Sequence, residues 1–320
     1  MSSMKAAVLT GSRRVEIQEH PIPSPGPGQV RVRLEGCGLC GSNLPVWQGR
    51  EWFQYPLAPG APGHEGWGEI DMLGPDVSGF KIGQRVTFMS HCAFAQYDVA
   101  EATSTILLPE SLAGRPVPGE PLACALNVAM RSNFAPGQTV AVIGIGFLGA
   151  LILDLAVKAG ARVLAVSRRS AATEIAKQRG ATEVISMEDP HVAAQRVLEL
   201  TNGRGCDTVV EAVGLQSALD LATDAVAESG RLVIAGFHQD GHRSIDLCKW
   251  NWRGISIVNA HERNAQTVIQ SMQNAVSMVA SGRWDPFGLL THSVSLDKLE
   301  DAMNWMEQRP GAFIKGYVKL

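Results

Sequence analysis

Short apolar and alternating runs, separated by turns, open the chain. Lys5 to Leu9, Val30 to Leu34 and Val86 to Met89 have the period-two or apolar character of strands and predict a β-rich first third. The prolines between His20 and Gly28 exclude helix there and predict turns and extended chain. Gly60 to Gly68 reads as another glycine-rich connection. From about residue 125 the rhythm changes. Thr139 to Ile143 is a short apolar strand, Phe147 to Ala159 has helical spacing, and Arg162 to Val166 is a second strand. Helix-like Ala171 to Arg179, Ala193 to Leu200 and Ser217 to Ala227 then alternate with strand-like Glu183 to Ile185, Thr208 to Val213, Arg231 to Ala235 and Ile255 to Asn259. Such alternation predicts parallel strands joined by helices, a doubly wound α/β sheet. An amphipathic helix over Ala265 to Ala280 follows, then a second near Leu296 to Met306 and a final strand-like Phe313 to Leu320. The pattern divides the chain into a β-rich domain over 1–122, an inserted α/β domain over 123–261, and a return to the first domain over 262–320.

A chain of 320 residues can bury two full cores. Hydrophobic residues at 45% and charged ones at 18% disfavour disorder and coiled coil. A net charge of -3 without a basic patch makes nucleic acid a poor partner. The N-terminus lacks an apolar signal core, and the most apolar stretch, Val140 to Ala156, is interrupted by glycines and Asp154. A cytoplasmic protein, away from membranes, is the expectation. Cys37, Cys40, Cys92, Cys124, Cys206 and Cys248 are then reduced thiols. Cys37 and Cys40 have CxxC spacing, but no second such pair exists to complete a four-cysteine structural zinc site.

Gly144, Gly146 and Gly149 form a GxGxxG motif after a strand and at the start of a helix. That context predicts a Rossmann dinucleotide site. Gly144 permits the turn, Gly146 admits the pyrophosphate, and Gly149 lets helix and strand pack closely. Phe147 and Leu148 within the motif, and Val213 and Gly236 near later strand ends, complete the expected cofactor lining. The second strand ends at Ser167, Arg168 and Arg169 rather than at an acid. A carboxylate would bond a ribose 2′-hydroxyl, whereas guanidinium groups bind a 2′-phosphate. NADP(H) is therefore expected over NAD(H).

Three separated segments carry metal-ligand side chains: Cys40-Gly-Ser42, Gly63-His64-Glu65-Gly66 and Gly119-Glu120. Taken singly, each has an ordinary reading as a buried thiol, a hydrogen-bonded imidazole or a surface carboxylate. Taken with Met4-Lys-Ala-Ala-Val, Pro27-Gly-Gln-Val, Val77-Ser-Gly-Phe-Lys-Ile-Gly-Gln-Arg-Val and Glu211-Ala-Val-Gly, they are similar over nearly the whole chain to the medium-chain dehydrogenase/reductase superfamily. The nearest branch is that of the zinc-dependent alcohol and polyol dehydrogenases, sorbitol- and threonine-dehydrogenase-like.

That resemblance implies a Rossmann domain inserted in a GroES-like catalytic domain and a homo-oligomer, dimer or tetramer. It implies one catalytic zinc held by Cys40, His64 and Glu120, with Glu65 binding the ion or moving into its shell. Ser42 matches the hydroxyl that takes the substrate proton, and Lys315 matches a basic residue that contacts the cofactor phosphates. Three features depart from the family. The stretch Val86 to Tyr97 lacks the four-cysteine lobe of a structural zinc. Asn43 stands where the family has the Asp that orients the zinc-bound imidazole, which predicts a less basic ligand. Pro45 stands where the family commonly has an outer relay histidine, so the proton must leave by another route, for which water and His91 are candidates.

The reaction implied is hydride transfer between NADP(H) and a secondary alcohol, polyol or ketone, with zinc polarising the substrate oxygen. Trp47, Trp52, Phe53, Ser90 and His91 are candidate pocket residues. A polar wall at Ser90 and His91 favours a polyhydroxylated substrate. Phe237 to Gly241, after the fifth parallel strand, is placed near the nicotinamide. Two other readings compete: a zinc-free quinone or enone reductase of the same superfamily, and a non-catalytic NADP-binding protein. The retained ligand residues and Ser42 count against both.

Overall fold

A computed structural model describes residues 2–320. They form two compact units, one from the chain up to Ala123 together with Ala265–Leu320, the other from Cys124–Asn264.

In the first unit, β1 (Ser3–Gly11) and β2 (Arg14–Pro21) pair as an antiparallel ribbon. There follow β3 (Gln29–Gly38), α1 (Asn43–Gln48), β4 (Gly66–Leu73), β5 (Arg85–Phe88), β6 (Tyr97–Glu101) and β7 (Thr105–Leu107). Helix α2 (Gly119–Ser132) begins in this unit and ends in the next. The second unit holds β8 (Thr139–Ile143), α3 (Phe147–Lys158), β9 (Arg162–Ser167), α4 (Ser170–Gln178), β10 (Glu183–Ser186) and α5 (Pro190–Leu200). It continues through β11 (Cys206–Glu211), α6 (Gln216–Ala225), β12 (Val226–Ile234), α7 (Leu247–Trp252) and β13 (Ser256–Asn259). The chain then rejoins the first unit as α8 (Ala265–Ala280), β14 (Leu290–Ser295), α9 (Leu299–Gln308) and β15 (Lys315–Lys319).

The large sheet of the first unit has the order β14-β15-β3-β4-β5-β7, with β6 also on β3. Val30, Val32 and Leu34 alternate inward along β3, and they pack with Ile70, Val86 and Phe88 and with Leu299, Ala302, Met303 and Met306 of α9. The α9 residues recur at helical spacing on one face, which is why the returning segment docks there. Each large side chain so buried contributes about 1.5–3 kcal/mol. The end of β3 is flanked on both sides: Tyr317 and Val318 of β15 lie opposite Gly38 and Cys37, and Gly66 of β4 lies opposite Cys37. The functional residues sit on this junction.

The second unit is a six-stranded parallel sheet in the order β10-β9-β8-β11-β12-β13. All of β8 is buried, as a central parallel strand requires, and α3 is buried on almost every side. The strand order reverses between β8 and β11, which opens a crevice at the carboxyl ends of the strands.

Two expectations shift in extent. The Gly60 to Gly68 connection ends early, because β4 already starts at Gly66. Gly68 serves the pairing, since a Cβ there would stand 2.2 Å from the Arg33 carbonyl oxygen. The strand read from Arg231 begins at Val226, and Ser229 takes a φ of 55° to carry it past a polar, turn-like stretch. Among the described residues no helix is long and apolar enough to cross a membrane.

Candidate functional site

The first site is built on the junction at the end of β3. Cys40 and Ser42 lie between β3 and α1, and His64 and Glu65 lie just before β4. One ligand atom from each of Cys40, His64 and Glu65 falls within 4.8 Å of the others. The imidazole is held from behind: Nδ1 lies 2.9 Å from the Pro62 carbonyl oxygen. A carbonyl only accepts, so Nδ1 carries the proton and Nε2 faces the cluster. Ser42 Oγ is 3.5 Å from that Nε2.

Glu65 is fully buried and meets Lys315, which is 5% exposed; Nζ donates to Oε1 at 2.6 Å. Topology explains the meeting, because β4 and β15 flank opposite sides of β3. Gly38 makes the room, since a Cβ there would come 1.9 Å from Glu65 Oε2. Lys315 Nζ is also 2.6 Å from Oε2, so the ammonium sits against both carboxylate oxygens. The structure places the Lys315 ammonium, expected at the cofactor phosphates, on buried Glu65.

Glu120 enters from the first turn of α2. Thr87 places that turn, its hydroxyl donating to the Gly66 carbonyl at 3.0 Å and accepting from Gly119 N–H at 2.9 Å. Glu120 is not in the group of three, but its charge acts on His64 and Lys315. The His64 imidazolium shows the balance of charge. Burial pulls its pKa down, yet the hydrogen bond and charge of Cys40, then Glu65 and Glu120, push it up to about 10. The Lys315 ammonium, penalised by burial, is likewise held up, chiefly by Glu65. A pocket that retains protons this strongly favours positive charge. Its thiol, imidazole and carboxylate groups are the donor types that zinc takes.

Other pocket candidates change role. Asn43 does not touch the imidazole: its amide accepts from Cys40 N–H at 2.9 Å and donates to Pro62 O at 3.1 Å. Trp47 is fully buried in the core. Ser90 is buried and donates to Asp98, a buried acid whose carboxyl is pushed up by burial. It is therefore not a free polar wall. His91 and Trp52 are exposed, and Phe53 is half-buried with its ring 6.1 Å from that of Trp52. Asp98 escapes sequence reasoning because a lone acid in an alternating strand reads as surface.

The second site is the glycine turn of the Rossmann unit. Gly144 has a φ of +94°, and a Cβ there would meet Val213 at 2.5 Å. A Cβ on Gly149 would lie 1.8 Å from the Gly144 carbonyl oxygen. A Cβ on Gly146 would meet nothing within 4 Å, so open space adjoins the start of α3. That arrangement fits a pyrophosphate at a helix N-terminus. Phe147 is buried and Leu148 half-buried in the first turn. Ser167 is buried at the end of β9, Arg168 is exposed, and Arg169 reaches back to the Ile145 carbonyl at 3.5 Å. Gly236 packs so closely that a Cβ would come 2.3 Å from Gly214 N. Glu211, fully buried, ties this end of the sheet together: Oε1 accepts from Val213 and Gly214 N–H at 2.7 and 2.8 Å, and Oε2 meets His238 Nε2 at 3.0 Å.

Residues 26–119 match the alcohol dehydrogenase GroES-like domain family, and residues 148–281 match the zinc-binding dehydrogenase family. The chain belongs to the zinc-dependent medium-chain dehydrogenase superfamily. It is an oxidoreductase by that membership. It is 28% identical to the sorbitol dehydrogenase of Bacillus subtilis, over 94% of this chain and 93% of that one. It is 27% identical to the L-threonine 3-dehydrogenase of Pyrococcus abyssi, over 95% and 94%. Among solved structures, a protein of Sinorhizobium meliloti 1021 described as a zinc-binding dehydrogenase and bound to NADP superposes with a TM-score of 0.86 at 24% identity, over all of both chains. At that identity the likeness carries the fold of this dehydrogenase.

Proposed function

We propose that this dehydrogenase moves hydride between NADP(H) and a secondary alcohol or polyol, or the matching ketone, at a single zinc ion. The convergence of Cys40, His64 and Glu65 within 4.8 Å carries this reading. It is the donor set a zinc-free quinone or enone reductase would not need. Cys40, His64 and carboxylate oxygen from Glu65 or Glu120 would hold the ion. Bound there, zinc supplies Lewis acidity toward a substrate oxygen, and the nicotinamide supplies or takes the hydride. Ser42, beside His64 Nε2, takes the hydroxyl proton. Pro62 O fixes the imidazole so that its free nitrogen faces the cluster.

Ser167, Arg168 and Arg169 support NADP(H), since guanidinium groups at the end of the second strand suit a 2′-phosphate. The names of the relatives support a polyol or an alcohol beside a polar group, and with Ser90 turned to Asp98 that preference rests on them and on exposed His91. Six free cysteines support a reducing compartment such as the cytoplasm. The open edge at β13 supports self-association.

The test is turnover of zinc-loaded protein on a panel of polyols, secondary alcohols and amino alcohols. Activity should favour NADP over NAD, vanish on chelation, and vanish in Cys40→Ser. Arg168→Ala combined with Arg169→Ala should erode the NADP preference. Turnover that survives chelation or Cys40→Ser would overturn the reading.

A further inference from the structure

We infer that Asn43 is the positioning residue that sets the separation of Cys40 and His64, and that this role requires an amide rather than a carboxylate. The inference rests on the zinc reading above. Asn43 is 1% exposed, so each of its polar atoms must find a partner inside the protein. Its side-chain oxygen accepts from the Cys40 N–H at 2.9 Å, and its own N–H donates back to the Cys40 carbonyl at 2.9 Å. These two bonds fix the loop that carries the thiol. Its side-chain nitrogen donates to the Pro62 carbonyl at 3.1 Å, in the loop that carries the imidazole. The same carbonyl accepts from His64 Nδ1 at 2.9 Å. Asn43 thus braces one ligand loop against the other through a single shared oxygen.

The polarity of the brace is forced. Cys40 N–H is only a donor and Pro62 O only an acceptor, so the group between them must offer an acceptor to one and a donor to the other. An amide does both, and rotating it by half a turn would lose both bonds. A carboxylate satisfies Cys40 but sets a charged oxygen against the Pro62 oxygen at amide distance. The repulsion would drive the two loops apart and disturb the carbonyl that fixes the imidazole. An acid bonded directly to the imidazole would strengthen that ligand, whereas the amide here works between loops. The two roles give opposite expectations for Asn43→Asp.

The probe is cobalt(II), titrated into metal-free protein and followed by the thiolate charge-transfer and ligand-field bands. Competition with a chelator gives the affinity. The brace requires N43D to bind cobalt about 10- to 100-fold more weakly than wild type, the usual cost of losing an outer partner of a metal ligand. It also requires altered ligand-field bands, which a general loss of stability would not produce. Asn43→Ala, which removes both side-chain bonds without adding charge, should weaken binding too. It carries the test alone if N43D fails to fold. Equal or tighter cobalt binding by N43D, with unchanged bands, would overturn the brace while leaving the zinc reading intact. Wild-type protein that binds no cobalt, or a Cys40→Ser variant that binds it equally well, would overturn the zinc reading and the brace with it.

Discussion

Single side chains at the Cys40, His64 and Glu65 cluster answer to charge. Glu65 and Lys315 are buried together, and neither would be tolerated there alone. Removing one partner strands the other, at a cost of about 3–5 kcal/mol. Lys315→Met should lower the unfolding free energy from urea titration by that amount, and Glu65→Gln combined with it should recover much of the loss. A single variant with wild-type stability would contradict the pairing. His64 gives a pH dependence. Its folded pKa of about 10 stands above its ordinary 6.5, so in metal-free protein the bound proton contributes stability that is whole below 6.5 and is lost as the pH rises through about 10. Chelated protein should therefore lose stability across that window, and zinc-loaded protein, with the imidazole already deprotonated, should not lose this contribution. Identical pH profiles for the two would contradict it. The thiols differ in a similar way. Burial pushes Cys206 up to about 12 and Cys37 well above the usual range, whereas Cys248 is exposed. Mass spectrometry after brief alkylation should find Cys248 modified and the other two intact.

At the scale of elements, the glycine turn separates packing from binding. Gly149→Ala drives a methyl into the Gly144 carbonyl, so it should cost about 1–3 kcal/mol as well as weaken binding of the dinucleotide. Gly146→Ala meets open space, so the fold should keep its melting temperature while dinucleotide binding falls. Calorimetry beside a binding titration separates the two outcomes, and equal melting losses would contradict the assignment. This turn is legible in the sequence because its glycines, strand and helix are contiguous. The parallel sheet is legible for the same reason, through alternation of apolar runs with helical spacing. Less legible is whatever depends on distant pairing. The polar stretch at Glu228 to Arg231 resembles a turn and is part of β12. The pairing of Lys315 with Glu65 shows only once β15 is seen beside β3, where Gly38 leaves space for the carboxylate. Glu211 and Asp98 are buried acids, and no local pattern separates them from surface carboxylates.

For the whole molecule, the discontinuous first unit is the central feature. Its returning segment contributes α9 to the core and β15 to the sheet, and with β15 comes the ammonium that neutralises Glu65. Cys40, His64, Glu65 and Lys315 span most of the chain and meet only once both ends of that unit are joined. In sequence they are three unconnected motifs, tied together by family likeness; in the fold they are one cluster. Zinc-edge X-ray absorption on the purified, zinc-loaded dehydrogenase tests that cluster most directly. A single sulfur scatterer at about 2.3 Å, with nitrogen and oxygen near 2.0–2.2 Å, and loss of the sulfur shell in Cys40→Ser, is the expected result. A zinc shell without sulfur, or one whose sulfur survives that substitution, would contradict the assignment of the ion to Cys40, His64 and carboxylate oxygen.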